Sequence, residues 1–275
     1  MVSDGPLDLG SPDGSFRGVS KEEIETLLQR HYLPTDKVVI EQNILVYSSG
    51  GKRILFETGI GSLQLFGPNA GRLQGSLREA EIDAASIDAI VCSHPHPDHI
   101  GGICTDEGVP LFPNAQIYLS ENDFNFWTDE KLLGGPLDVA VKVARTNLLP
   151  VRDRLVFFKD GQEFLPGVQA IFTPGHTKEH ACFILTSGKE SLFLIGDLSH
   201  HAALLLERPQ SEFVYDLDPK QAAATRVRIL DMVSKKRMAV FADHFPWPGF
   251  GHIGKDGDGF RYFPESIRWA VSPRI

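Results

Sequence analysis

Chemistry concentrates in one stretch of this chain, Ser93-His94-Pro95-His96-Pro97-Asp98-His99-Ile100-Gly101-Gly102, where three imidazoles and a carboxylate fall within six positions. Such groups bind borderline divalent metals at roughly 2.0–2.2 Å, or they handle protons near neutral pH. His94 and His96 are two apart, which sends both rings to one side of an extended backbone. Pro95 and Pro97 then impose a bend before Asp98 and His99. The segment therefore offers two ligand pairs aimed into neighbouring volumes. It can nucleate a metal site but cannot complete two of them, so further ligands must come from elsewhere. The bland alternative, a surface loop rich in histidine, fits a single His-x-His better than this density of donors followed by Gly101-Gly102.

The segment needs a rigid edge, and the apolar run Ala89-Ile90-Val91-Cys92 before it reads as an interior strand, too short for a buried helix. Ahead of it, residues 1–18 are rich in Gly, Asp, Ser and Pro and read as an irregular arm with little chemistry. Ser20-Lys21-Glu22-Glu23 is a capping box opening a helix to about His31, a helix-end residue. Two strands, 38–47 and 54–56, flank Gly50-Gly51 as a hairpin that ends at Glu57-Thr58-Gly59-Ile60-Gly61. The loop carrying Leu65 and Phe66 reads either as a lid facing substrate or as a plug in the core. A helix follows over 76–84, then a strand over 115–119 and an aromatic segment, Glu121 to Trp127, at helical spacing. Trp127 is open to two uses, pocket wall or core. After a helix over 137–149 come strands over 155–158, 163–165, 168–172, 180–185 and 192–195. A helix starting at Pro219 behind the N-cap Asp218 precedes a last strand, 238–241. Strands grouped in each half with helices between them allow two facing sheets covered by helices, among other α/β layerings.

At 275 residues and 42% hydrophobic content the chain can bury the core of one domain spanning 1–275. The formal charge of -9, with only Lys235-Lys236-Arg237 as a short basic run, argues against nucleic acid as a partner. The three cysteines, Cys92, Cys104 and Cys182, cannot all pair and form no Cys-x-x-Cys motif, which points to a reducing, cytoplasmic setting. Met1 to Pro6 lack the features of a signal peptide, and no apolar stretch approaches the length of a membrane span. A signal removed ahead of Met1 is compatible with the same reading.

His94-x-His96-x-Asp98-His99 resembles the signature of the metallo-β-lactamase fold superfamily. Its later landmarks follow in order: Thr173-Pro174-Gly175-His176-Thr177, Gly196-Asp197 and His244. Phe66-Gly67-Pro68 and the stretch from Asp243-His244 through Trp247-Pro248-Gly249-Phe250-Gly251-His252 most resemble the branch holding methyl parathion hydrolase and related dinuclear lactonases. The resemblance implies an α/β (α+β) fold, a four-layer αββα sandwich. It also implies two divalent metal ions, zinc first, with manganese, iron or cobalt as alternatives. His94, His96 and His176 would hold one ion, Asp98, His99 and His244 the other, and Asp197 would bridge them. A metal-bridging hydroxide would then attack, so that no serine or cysteine nucleophile is required. Asp98 would pass a proton to the leaving group.

Glu57 stands where the superfamily usually has an aspartate beneath the metal site, and it adds one methylene. His200 and His201, following Gly196-Asp197, are implied hydrogen-bond partners of the ligands, with a packed or solvated role as the alternative. His180 is placed to support His176. Phe66, Trp127, Trp247, Phe250 and His252 are the candidate substrate-binding residues. They suit an uncharged acyl or aryl group. The same apolar loops also suit a homodimer contact, and Phe245-Pro246-Trp247-Pro248 suits a stiffener behind His244.

Among the superfamily's reactions, an aspartate at 197 argues against a true β-lactamase, which carries cysteine or serine near this place. RNA-processing members need basic exosites, and flavin-dependent members carry an acidic residue where His96 stands. The leading expectation is hydrolysis of a small neutral ester, above all ring opening of an acyl-homoserine-lactone type of lactone. The alternative is an organophosphate triesterase of the methyl parathion hydrolase type. Below these stand a glyoxalase II-like thioesterase, which normally has a helical extension unlike the Pro-, Gly- and aromatic-rich residues after His244, and a non-catalytic metal- or ligand-binding protein.

Overall fold

The computed structural model describes residues 1–265. Two sheets carry most of the strands. The first has six, ordered Val2–Ser3, Asn43–Ser49, Lys52–Phe56, Ala89–Val91, Gln116–Ser120 and Leu155–Phe158. The second has seven, ordered Glu163–Leu165, Val168–Phe172, Ala181–Ser187, Glu190–Leu194, Ala239–Phe241, Phe250–Asp256 and Gly259–Pro264. Alternation along each strand assigns the layers. Ile54, Phe56, Ala89 and Val91 of the first sheet pack with Ala170, Ala181, Phe183 and Phe241 of the second. Leu55, Ile90 and Ile117 point the other way, onto Val141, Ala144 and Leu148 of the helix Asp138–Leu148. Phe193 and Val240 likewise meet Ile229, Leu230 and Val233 of the helix Pro219–Lys236. Because central strands are covered on both faces, they read as unbroken apolar runs rather than alternating ones. The result is the expected αββα order.

Caps behave as the sequence dictates. Ser20 Oγ accepts from Glu23 N at 3.2 Å to open the helix Lys21–Arg30, with His31 as its C-cap. Asp218 accepts from Gln221 N at 3.0 Å ahead of Pro219. The helix expected over 76–84 runs instead from Leu73 to Glu79.

Residues 1–18 correct the expectation of an irregular arm. Val2–Ser3 extends the first sheet, Leu7–Gly10 pairs with Val38–Ile40, and Phe16–Arg17 pairs with Glu212–Phe213. Short strands held only by distant partners leave no periodic signal of their own, and the Gly and Asp content masked them. Leu7 and Phe16 are buried with Ile24, Leu28, Ile60 and Phe213.

Asp4 fastens this N-terminal segment to the loop beneath the histidine-rich segment. Its buried carboxylate accepts from Ile60 N at 2.9 Å, Leu73 N at 2.8 Å and Gly71 N at 3.3 Å. The loop passes so close that a Cβ on Gly61, where φ is +66°, would lie 2.1 Å from the Gly101 carbonyl oxygen, so only glycine fits there. Asp4→Ala would leave these N–H groups without their acceptor and is expected to lower the unfolding free energy by roughly 2–4 kcal/mol. Urea denaturation measures this, and an unchanged midpoint would contradict the anchoring role.

Candidate metal centre

All the ligand-type residues leave strands at the same end of the sandwich. In the first sheet Lys52–Phe56 runs parallel to Ala89–Val91, and in the second Glu190–Leu194 runs parallel to Ala239–Phe241. Val168–Phe172 shares the direction of Glu190–Leu194, since each is antiparallel to the strand between them. Their C-terminal ends therefore deliver His94, His176, Asp197 and His244 to one place, where open α/β sheets generally put ligands. His96 is the N-cap of a one-turn helix, Pro97–Ile100, which starts with proline and turns Asp98 and His99 back toward the sheet.

The seven residues converge. His176 Nε2 lies 3.1 Å from His94 Nε2 and 3.0 Å from Asp197 Oδ2. On the other oxygen, Asp197 Oδ1 is 3.1 Å from His99 Nε2 and 2.9 Å from His244 Nε2. Asp98 Oδ2 stands 3.5 Å and 3.6 Å from the same two nitrogens. The His96 ring sits edge-on to His94 and His176, with centroids 4.5 Å from each. Two donor groups result, His94/His96/His176/Asp197 and Asp98/His99/Asp197/His244, each with ligand atoms within 4.8 Å of one another.

A cation in each group fits the chemistry of these atoms. The outer nitrogens are already engaged: His94 Nδ1 with Ser93 Oγ at 2.9 Å, His176 Nδ1 with Asp216 at 2.8 Å, His244 Nδ1 with the Glu41 carbonyl at 2.8 Å. Their Nε2 atoms are then the ones that face inward. Inside, His99 Nε2, His244 Nε2 and Asp197 Oδ1 are buried without any hydrogen-bond partner. Buried polar atoms are normally satisfied, and a positive ion would satisfy these.

Electrostatics follows from the same crowding. Burial holds His94 and His96 well below the ordinary histidine range, with neighbouring imidazoles adding to the effect. Burial also opposes charge on His176, yet Asp197 and Asp216 together carry it up to about 9. His99, against the burial cost, is raised well above its usual range by Asp197, Asp98 and Glu57. The surrounding histidines hold Asp197 ionised despite its burial.

Glu57 has a left-handed backbone, φ +66°, uncommon for a side chain of this kind. Its Oε1 accepts from Ser93 N at 2.9 Å and its Oε2 lies 3.3 Å from His99 Nδ1. The longer side chain thus bridges the start of the histidine segment and one of its rings. His200 Nε2 meets Asp197 Oδ2 at 2.9 Å, and the ring lies against Phe213, 4.1 Å between centroids. His180 holds Asp197 rather than His176: its Nε2 accepts from Asp197 N at 2.9 Å, and its Nδ1 faces Thr173 Oγ1 at 2.7 Å. Gly196 permits that contact, since a Cβ there would lie 2.7 Å from His180 Nε2.

His201 is a correction. Its Nδ1 accepts from Ala203 N and Leu204 N, both at 3.1 Å, at the start of the short helix Leu204–Glu207, and its ring meets Phe16. Although next to His200 in sequence, it is turned by the bend there toward the following helix instead of the metal donors.

A cavity of about 390 Å³ opens onto the donors Asp98, His96, His176 and Asp197. Phe66 and Trp127 line it, and Leu65 stands half-exposed at 51%. Trp127 serves both expected roles, being fully buried in the outer core with its ring 4.7 Å from that of His96. Trp247, Phe250 and His252 do not line this cavity, which corrects their assignment to substrate. After His244 a tight turn closes, with Gly249 N donating to Pro246 O at 2.9 Å, and the strand Phe250–Asp256 runs antiparallel to the one delivering His244, away from the donors. Trp247 is 48% exposed, and His252 Nδ1 lies 3.8 Å from Glu265.

Sequence reasoning missed much of the rest of the wall, including Leu7 and Leu9 from the N-terminal segment, Leu137 and Ala140, and Phe213 to Leu217. The available signal was Leu7-Asp8-Leu9 alternation and the β-prone Phe213-Val214-Tyr215, which marks strands but not their location. It also missed Asp216 behind His176, and buried Asp123, which accepts from Thr177 Oγ1 at 2.5 Å and Glu179 N at 3.3 Å to pin the His176 loop.

Residues 38–244 match the family model of the metallo-beta-lactamase superfamily, and the chain belongs to that superfamily. Among solved structures it is similar to AidC, a dizinc quorum-quenching lactonase in complex with the product N-hexanoyl-L-homoserine, at 28% identity and a TM-score of 0.90 over 97% of this chain and 93% of that one. Hydrolase AbOPH, also in the beta lactamase superfamily, is 28% identical with a TM-score of 0.89 over 97% and 94% of the two chains. The N-acyl homoserine lactonase of Bacillus cereus is 27% identical over 65% of this chain, a match spanning 60% of the relative's length. That of Bacillus thuringiensis is 26% identical over 71% of this chain and 68% of its own. No helix among the described residues is long and apolar enough to cross a membrane.

Asp197 and Asp216 favour the charged His176 ring, carrying it up to about 9, so the metal-free protein is expected to hold a proton there at pH 7. A divalent cation must displace it, so metal uptake is expected to release at least one proton and to weaken as pH falls. Calorimetry in buffers of different ionisation enthalpy measures the release, and uptake with no release would contradict it.

Proposed function

We propose that the protein is a two-metal hydrolase that opens the ring of lactones bearing an apolar acyl chain, the acyl-homoserine-lactone type. The observation that carries this reading is the juxtaposition of two carboxylate-linked donor groups with an apolar cavity walled by Leu7, Leu9, Leu137, Phe213 and Tyr215. Its similarity to two N-acyl homoserine lactonases and to a product-bound lactonase supports the same substrate class.

In this reading His94, His96 and His176 hold one cation, Asp98, His99 and His244 the other, and Asp197 serves both. Zinc suits these nitrogen and oxygen donors. When bound, such a pair acidifies water and polarises a carbonyl oxygen, which removes any need for a serine or cysteine nucleophile. The chain's own residues do the rest. The apolar wall takes the acyl tail and excludes water, leaving the ester beside Asp98. Water adds to the acyl carbon, the ring C–O bond breaks, and the departing oxygen takes a proton. Asp98, at the cavity's edge, is the group placed to accept the proton that the attacking water loses and to pass it to that oxygen. His200 and His180 keep Asp197 in position through its side chain and its backbone. The three free, buried cysteines support a reducing, cytoplasmic setting.

The test is hydrolysis of an acyl-homoserine lactone, an aryl ester and a dialkyl aryl phosphate before and after treatment with chelator. Lactone turnover that chelator abolishes and zinc restores is expected. Preference for the phosphate would favour a triesterase, and no turnover on any of them would favour a binding protein. Asp98→Asn is expected to cut kcat by about 10²- to 10⁴-fold, with metal content measured alongside; full activity with metal retained would remove Asp98 as proton donor. Ala140→Phe, which intrudes on the cavity, is expected to lower kcat/KM for long acyl chains by about tenfold or more relative to short ones.

A further inference from the structure

His176 is braced from behind by buried groups that the reaction itself does not use. Its Nδ1 donates to Asp216 Oδ1 at 2.8 Å, and the other oxygen of Asp216 lies 3.5 Å from the Arg226 guanidinium. The side chains of Asp216 and Arg226 are both fully buried. Arg226, on the helix Pro219–Lys236, is itself fixed: Nε donates to Leu198 O at 2.8 Å, and a terminal nitrogen donates to Pro209 O at 3.0 Å and Ser211 O at 2.8 Å. One guanidinium therefore grips both the carbonyl next to Asp197 and the carboxylate behind His176. Two backbone bonds complete the brace, Leu217 N to His176 O at 3.1 Å and Asp218 N to Gly175 O at 2.9 Å.

The other ring partners differ in kind. His94 Nδ1 faces a hydroxyl and His244 Nδ1 a carbonyl, whereas His176 faces Asp216 and His99 faces Glu57. Of these two carboxylates only Asp216 is hydrogen-bonded to its ring; Glu57 Oε2 stands 3.3 Å from His99 Nδ1 without a hydrogen bond. A carboxylate fixes the Nδ1–H tautomer, stops the ring from turning and makes Nε2 the stronger ligand. We propose that Asp216, held by Arg226, is a positioning residue that sets the affinity for the cation bound by His94, His96 and His176. The inference rests on the two-cation reading.

The test compares wild-type protein and Asp216→Asn, each loaded with zinc and titrated with a competing chelator. Wild type is expected to hold two equivalents. The variant should still take up two in excess zinc but give up one of them at about 10- to 100-fold higher free zinc than wild type, while the second is held as before. Equal retention of both equivalents in the variant, or equal weakening of both, overturns the proposal alone. If wild type takes up no zinc, the two-cation reading falls and the proposal with it. A measurement without substitution covers a variant that fails to fold. In long-range proton–nitrogen spectra of zinc-loaded wild type, the His176 ring proton should sit on Nδ1 and exchange slowly; a proton on Nε2, or one exchanging freely, overturns the proposal.

Discussion

The Asp197 carboxylate is the point about which the molecule is built. Imidazoles from four separate places in the chain turn their inner nitrogens toward it, in an interior where bare lone pairs and an unpaired charge cannot coexist cheaply. Outer contacts prevent the rings from relieving the crowding by rotating. Ser93, the Glu41 carbonyl and Asp216 each occupy the far nitrogen of one ring, and Glu57 lies 3.3 Å from that of His99. The arrangement makes sense as a vessel for positive charge supplied from outside the polypeptide.

Such convergence requires a scaffold that aligns strand ends without tolerance for drift. Parallel neighbours in each sheet do this, and backbone-to-backbone bonds join the sheets at the same end, as when Ala181 N donates to Ser93 O at 3.0 Å. Two glycines near the donors admit close approaches. Gly61 lets its loop pass beneath Gly101, and Gly196 lets His180 reach the Asp197 backbone. Neither position has room for even a methyl group.

What could be read from the sequence depended on how local the determinant was. The His94 to His99 segment was legible because spacing and prolines fix it within six residues, and the capping boxes and apolar runs were legible for the same reason. His176, Asp197 and His244 were reached only through resemblance, since nothing in their own surroundings says that they meet. Trp247, Phe250 and His252 misled because closeness to His244 along the chain is not closeness to the cavity once the chain reverses into an antiparallel strand. Asp216 was silent because its partner lies 40 positions away. The N-terminal strands were silent because Phe16 pairs with Phe213 near the far end.

The stretch from Phe213 to Leu217 faces two ways. Phe213, Val214, Tyr215 and Leu217 shape the hollow where a ligand's apolar part would lie, while the residue in their midst also bonds the His176 ring. Val214 and Tyr215, both exposed, have room to change and remodel what the hollow admits, whereas Phe213 is fixed in the core against Phe16 and His200. Asp216 is held to its carboxylate, so new selectivity would arise around two fixed pegs rather than by replacing the whole segment.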